Sequence, residues 1–293
     1  MAWTGKSEGG VIGFRIFVYS IKIFGIGFAY FILRFVSFYF YLVLSEKKKL
    51  LYSFYQKRLG YSSLESKRLI KKNFRLLGQG LIDKIAFLVG RGKKITYEEN
   101  GEKYLRELAK NHKGAFLLSA HLGNWDIAGN FLSSIGARVN ILMFQNEKEQ
   151  ISQLLEKEGS KPMFKIIPIK KDMSHLIRIY NAIKNGEFVC MHADRFMDGD
   201  PTIVLPFLGE KADFPLGVFQ MVEKLKAPYS FVFMVKKDTY HYSFSATKPV
   251  ITLKTAGEIA EEFIPVLEKK VREYPEQWFN YYDFYQKNND RPS

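Results

Sequence analysis

The chain has 293 residues, of which 47% are hydrophobic, enough for a sizeable core in one large domain or two small ones. Its single cysteine, Cys190, excludes an internal disulfide framework and any multi-cysteine zinc or iron–sulfur site. With 44 Lys and Arg against 30 Asp and Glu the net charge is +14, so an anionic partner is expected.

The first informative segment is VIGFRIFVYSIKIFGIGFAYFILRFVSFYFYLVL, residues 11–44. It is too long for a cleavable signal peptide and lacks a short basic leader and a small-residue cleavage site. From Ile23 to Leu44 it is long enough to cross a bilayer, although Arg34 near the middle would cost on the order of 2.5–3.5 kcal/mol there. Alternatively, Arg15, Lys22 and Arg34 line one face of a helix lying in the headgroup plane, with aromatic residues on the other. Either arrangement makes residues 1–45 a membrane-anchoring helix. Between Glu46 and Lys94 stand 14 basic residues and three acidic ones, Glu46, Glu65 and Asp83. A basic block directly behind an apolar segment fits an anionic membrane on its cytoplasmic side. It fits nucleic acid less well, since no reading module is recognisable.

Apolar residues at three- and four-residue steps from Leu50 to Leu88 predict two or three amphipathic helices over residues 46–91. From residue 114 the pattern changes to short apolar runs. Strands are predicted at 115–120, 139–144, 164–169, 187–193, 202–208, 229–237 and 240–247. Helices fall between or after them at 125–135, 147–158, 174–185, 216–226 and 256–274. This alternation predicts an α/β domain with helices on both faces of the sheet, and a closing hairpin at Asp238-Thr239 makes the sheet mixed. With no internal repeat and no low-complexity linker, residues 46–293 read as one domain.

The stretch AFLLSAHLGNWDIAGNFL, residues 115–132, carries the chemistry. An apolar strand ends at His121, Gly123 permits a tight turn, Asn124 is a good N-cap, and Asp126 falls in the first turn of the following helix. Reactive groups of open α/β sheets gather at such strand ends. On a continuous helix, residues five apart point about 140° away from each other. A strand–turn–helix corner instead folds Asp126 back beside His121, giving an oriented general base. A histidine that merely satisfies a helix N-terminus has the same local sequence. No nucleophile accompanies the pair: GKSEG, residues 5–9, has no strand before it, and Cys190 lies mid-strand as a small core residue. His192 and Asp194 in HADR are too few ligands for a metal.

The string SAHLGNWDIAG resembles the His-motif of the bacterial lipid A biosynthesis (late lauroyl/myristoyl) acyltransferase family, and His-x-x-x-x-Asp is similar to the motif of glycerolipid acyltransferases. NGEFVCMHADR (185–195), LPFLGEKADFPLGVFQMVEKLKAP (205–228) and YPEQWFNYYDF (274–284) resemble further blocks of the lipid A family, in the same order. The resemblance implies a glycerolipid acyltransferase-like fold on the cytoplasmic side of the bacterial inner membrane. It implies transfer of a fatty acyl chain from an acyl carrier protein or coenzyme A thioester to a hydroxyl or amine of a lipid acceptor, with no cofactor besides the thioester co-substrate. His121 would be the base and Asp126 its stabilising carboxylate. Substrate contacts are expected from Gly123, Asn124 and Trp125, from Asp194 and Arg195 with Arg195 as oxyanion cation, from Lys170 and Lys171 on phosphate, and from the loop Gly209–Gly217, where Phe214 and Pro215 shape an acyl groove. Asp126 stands where the family more often has Glu, and NYYDFYQK replaces its usual Trp and paired arginines, which leaves the acceptor open. A thioesterase or lipid hydrolase, in which His121 activates water, and a non-catalytic basic membrane-binding protein are the competing readings.

Overall fold

In the computed structural model the described residues are 11–136, 138–144, 164–170, 172–197, 199–282 and 284–285. The helix expected at 147–158 and the cation expected at Lys171 lie outside them.

The apolar segment forms two helices, α1 (Val11–Phe24) and α2 (Ile26–Val43), because the chain breaks at Gly25 with φ 82°. α2 turns a narrow stripe inward through Ile26, Ala29, Tyr30, Leu33 and Ser37. That stripe lies on α4 (Ser63–Leu88), reached through α3 (Ser45–Lys57), and joins one buried cluster with Ile82, Ile85 and the sheet. The opposite face, including Phe28, Phe31, Phe35, Phe38 and Leu42, is exposed. At about 100° per residue, Arg34 falls roughly a quarter turn from both stripes, and it is exposed. α4 starts at a capping box in which Ser62 and Glu65 satisfy each other's backbone N–H groups.

Beyond α4 come β1 (Thr96–Asn100), α5 (Glu102–Lys110), β2 (Ala115–Ser119), α6 (Trp125–Ser134), β3 (Val139–Phe144), β4 (Lys165–Ile169), α7 (Ser174–Lys184) and β5 (Phe188–His192). They are followed by β6 (Thr202–Phe207), β7 (Glu210–Pro215), α8 (Leu216–Leu225), β8 (Tyr229–Asp238), β9 (His241–Ala246) and α9 (Ala256–Glu273). Seven strands form one sheet in the order β1-β9-β8-β2-β5-β3-β4, parallel at every pairing except the β8–β9 hairpin. α5 and α6 pack one apolar cluster on one face, and α7, α8 and α9 pack another on the opposite face. Fully buried central strands read as near-continuous apolar runs, which is why β2 and β5 stand out in sequence.

Two differences from the expected elements have clear causes. The run at 202–208 does not join the main sheet; β6 pairs antiparallel with β7 as a separate ribbon. Gly209–Gly217 is therefore not a loop. Leu208 and Gly209 are a two-residue turn with both φ positive (50° and 85°), the geometry that matches strand twist in tight hairpins. β1, TYEEN, pairs at the sheet edge through its backbone and carries no apolar signal.

A buried polar knot ties these layers together. Lys236 of β8 donates to Asp83 of α4 at 2.5 Å and to the Tyr30 hydroxyl of α2 at 2.8 Å, and the hydroxyls of Tyr30 and Tyr242 also donate to Asp83. The Asp83 and Lys236 side chains are 0% and 5% exposed, so neither charge has water as an alternative partner. Removing one member of such a pair costs about 3–5 kcal/mol because the other stays buried unpaired. Asp83→Ala should therefore lower the melting temperature by on the order of 10 °C, whereas Asp83→Leu with Lys236→Met should recover most of it. An unchanged melting temperature for the single variant, measured in detergent, would show that the pair does not hold the layers together.

Candidate active site

β2 and β5 run parallel with Ser119 beside His192, and two residues further along this register sets His121 beside Asp194. His121 Nδ1 lies 2.8 Å from Asp194 Oδ1, and the His121 backbone N–H donates to Asp194 Oδ2 at 2.9 Å. Trp278 Nε1 donates to the same Oδ2 at 3.4 Å. With Nδ1 committed as the donor, Nε2 keeps the lone pair and is the basic atom. His121 retains slight exposure, 14%, while Asp194 has 1%.

The carboxylate that meets His121 is thus Asp194, not Asp126. Asp126 does lie in the first turn of α6, but its Oδ1 faces α4 and pairs with Lys84 Nζ at 2.9 Å. A helix start aims its side chains by the direction of the helix axis, and α6 presents this turn to α4. Proximity in sequence was the misleading cue. The useful signal was the parallel between two strand ends, Ser119-Ala-His121 and His192-Ala-Asp194.

Gly123 makes the sharp turn between strand and helix with φ 76°. A Cβ there would stand 2.0 Å from the Met234 carbonyl oxygen, so only glycine fits. Asn124 caps α6 by accepting from the Ile127 N–H, and its amide donates to the Gly80 carbonyl and to the Tyr242 hydroxyl, which leads back to Asp83. Trp125 lies edge-on to the rings of both His121 and His192, at 5.2 and 5.1 Å. The corner is strapped from outside by the segment after α9. The Gly123 N–H donates to Gln277 O, the Phe279 N–H donates to His121 O, and the Tyr282 hydroxyl donates to Asp194 O. Sequence reasoning saw this YPEQWFNYYDF block only as a resemblance and gave it no role.

The remaining expected residues are dispersed. Arg195 follows Asp194, but its guanidinium donates to the Phe279 carbonyl and lies over the Tyr282 ring, so it tethers the strap. Lys170 is exposed at the end of β4, the far edge strand, while His121 ends a central one. Gly209 is exposed at the hairpin tip. Phe214 is fully buried against Phe207 and Phe284, which both touch Trp278, so it is core and lines no groove. Pro215 is buried just ahead of α8. A narrow apolar cleft runs beside the corner instead, lined by Trp125, Ala128, Gly129 and Leu132 of α6 together with Ile141, Cys190 and His192.

Burial and the nearby Arg195 charge lower the pKa of His121 below the ordinary imidazole value, against a smaller opposing pull from Asp194. Burial also lowers His192, and well below that value. For Asp194 burial acts upward, but the His121 charge and hydrogen bond and Arg195 hold the carboxyl well below the usual carboxylate range. Burial pushes the Cys190 thiol up to about 12, which makes it a poor nucleophile. Among the described residues no cluster of three or more His, Cys, Asp or Glu is placed to hold a metal ion.

No curated protein matches the sequence. The crystal structure of the 1-acyl-sn-glycerophosphate (LPA) acyltransferase PlsC from Thermotoga maritima is similar over 82% of this chain and 98% of that one, at 13% identity and a TM-score of 0.38. That superposition is too loose to carry an argument. The family model for bacterial lipid A biosynthesis acyltransferases matches residues 11–282, from α1 through the strap that holds the histidine corner, and the chain belongs to that family of acyltransferases.

Proposed function

We propose that this acyltransferase moves a fatty acyl chain from an acyl carrier protein or coenzyme A thioester to a hydroxyl or amine of a membrane lipid, with a lipid A precursor as the first candidate acceptor. The observation that carries the reading is the His121–Asp194 pair, which leaves Nε2 as the basic atom of a ring packed beside Trp125 and His192, two residues that line the apolar cleft. Nε2 takes the acceptor's proton as its oxygen or nitrogen attacks the thioester carbonyl. Asp194 stabilises the imidazolium, and the departing thiolate recovers the proton from it. The chain needs no nucleophile of its own, which fits a buried, high-pKa Cys190.

The exposed aromatic face of α2 supports attachment to the inner membrane from the cytoplasmic side, with the helix lying in the interface. Its other face is committed to α4, and Arg34 on the flank reaches headgroups by snorkelling. α2 has 18 residues and a mean hydropathy of 1.7, sufficient by length and composition to cross a bilayer, but its packing against the domain favours lateral seating. Lys67, Arg68, Lys71 and Arg75 form an exposed basic face on α4 that suits anionic lipid or an acidic carrier protein.

Mass spectrometry of lipids from cells with and without the gene tests the function. An acylated lipid that disappears with the gene, and is not restored by His121→Ala, is expected, since losing a general base costs about 10²–10⁴ in rate. Restoration by His121→Ala would reject the base, and loss of free fatty acid in place of an acylated lipid would favour a hydrolase.

Because the His121 pKa is lowered, the base is deprotonated down to unusually low pH, so the acidic limb of kcat/KM should fall below pH 6.5. Asp194 raises this pKa, so Asp194→Asn should move the limb still lower while cutting the rate by about 10²–10⁴. Asp126→Asn should cost less and leave the limb in place. If Asp126→Asn shifts the limb and Asp194→Asn does not, the pairing is wrong.

Phe31, Phe35 and Phe38 are all exposed on α2, and burying a Phe stabilises by about 1.5–3 kcal/mol. Replacing the three by Ser should weaken binding to phosphatidylglycerol vesicles at least about a hundredfold without lowering the melting temperature. Unchanged flotation with vesicles would exclude this face as the lipid contact.

A further inference from the structure

An acyl-transfer site must stabilise the oxyanion that forms when the thioester carbonyl is attacked. The N–H groups of His121, Leu122, Gly123 and Asn124 are each spent, on Asp194, Ala120, Gln277 and Met234 in turn. Arg195 is turned to Phe279. His192 is different. It ends β5 two residues before Asp194, on the same face of the sheet, and its ring centroid is 4.3 Å from that of His121. It shares the cleft with Trp125 and Ser119, retains partial exposure there, and its ring makes no hydrogen bond to any described residue. A neutral imidazole next to the proposed base, with its ring N–H unpaired among the described residues, has a donor to offer a ligand.

We propose that His192 is a second catalytic imidazole, whose ring N–H donates to the oxyanion of the tetrahedral intermediate; this rests on the acyl-transfer reading above. When the acceptor oxygen or nitrogen bonds to the carbonyl carbon, the C=O electron pair moves onto oxygen and the acceptor proton passes to His121. His192 keeps its proton throughout and only donates a hydrogen bond. The pair then returns to re-form C=O, the C–S bond breaks, and the thiolate takes the proton from His121. Burial, together with the neighbouring His121 and Arg195 charges, keeps His192 neutral, so it does not add a second positive charge beside the base.

The test compares His192→Met with His192→Gln, side chains of similar length of which only Gln has an N–H donor, and adds His192→Phe, which keeps a ring between His121 and Trp125. Full-length protein in phosphatidylglycerol vesicles carrying lipid extracted from its own cells is given myristoyl-coenzyme A and, in parallel, myristoyl-acyl carrier protein. Thiol release and acylated lipid are both read. His192→Met and His192→Phe should each lower kcat about 10²-fold, as loss of one oxyanion donor does, with the thioester KM within about threefold. His192→Gln should be at least about tenfold faster than either. Wild-type kcat in Met or Phe, or a Gln variant no faster than both, overturns the proposal while leaving the transferase reading intact. Should Met not fold, the Phe and Gln pair decides alone. If the wild-type protein releases no thiol and acylates no lipid from either donor, the acyl-transfer reading and this proposal fall together.

Discussion

The register between two parallel strands is the constraint on which the site depends. β2 and β5 are neighbours with Ser119 opposite His192, and continuing that register by two residues brings an imidazole and a carboxylate to 2.8 Å at the carboxyl ends of the strands. A slip of one residue would turn the His121 and Asp194 side chains to opposite faces. Register is fixed by burial: Phe116, Leu118, Val189 and Met191 fill one apolar cluster, and Leu117 and Cys190 pack with the other. The fold's core and the site's geometry are therefore specified by the same strand residues.

Around this register the corner is held from two directions. α4 supplies the Gly80 carbonyl to Asn124, Asp83 to Tyr242 and Lys84 to Asp126, three contacts along one face of a single helix. The strap at 277–282 holds Gly123, His121 and Asp194 from the other side. Because α4 also seats α2, the helix with the exposed aromatic face and the helix that positions the corner are one packed unit. Tyr30 makes the link explicit, reaching from α2 to the Asp83 carboxylate. The same Asp83 accepts from Tyr242, so the helix with the exposed aromatic face and the histidine corner meet at one buried charge.

Strands with apolar interiors, the amphipathic helices and the corner at His121-Gly123-Asn124 were legible in the sequence because each is written in local spacing. The N-cap at Asn124 and the forced glycine at 123 appear as read. The partner of His121 was not legible, because it depends on which strand lies beside β2, and strand order is a long-range property. The single anchoring helix expected within residues 1–45 is two, because one glycine between apolar runs breaks a helix without altering hydropathy. Phe214 reads as a groove residue in sequence and is core in the fold, since an aromatic in a turn-rich stretch looks the same whether it lines a site or fills a core.

The charges at the corner also explain why Asp126 and Asp194, each within reach of the corner by a different route, need not do the same work. The base proposed for His121 must be a neutral imidazole, and each nearby anion favours the protonated form. Asp194 is hydrogen-bonded to the ring through Nδ1, and its upward pull on the His121 pKa is outweighed by burial and Arg195. A second unpaired carboxylate facing the ring would add to that pull and protonate the base at higher pH. Pairing Asp126 with Lys84 prevents this by setting a positive charge 2.9 Å from it. The pair then serves as a fixed contact between α4 and the first turn of α6, while Asp194 is the carboxylate bonded to the imidazole. The bonds from the Gly123 N–H to Gln277 and from the Phe279 N–H to His121 fix the corner in the orientation that sets Asp126 on α4 and His121 on Asp194.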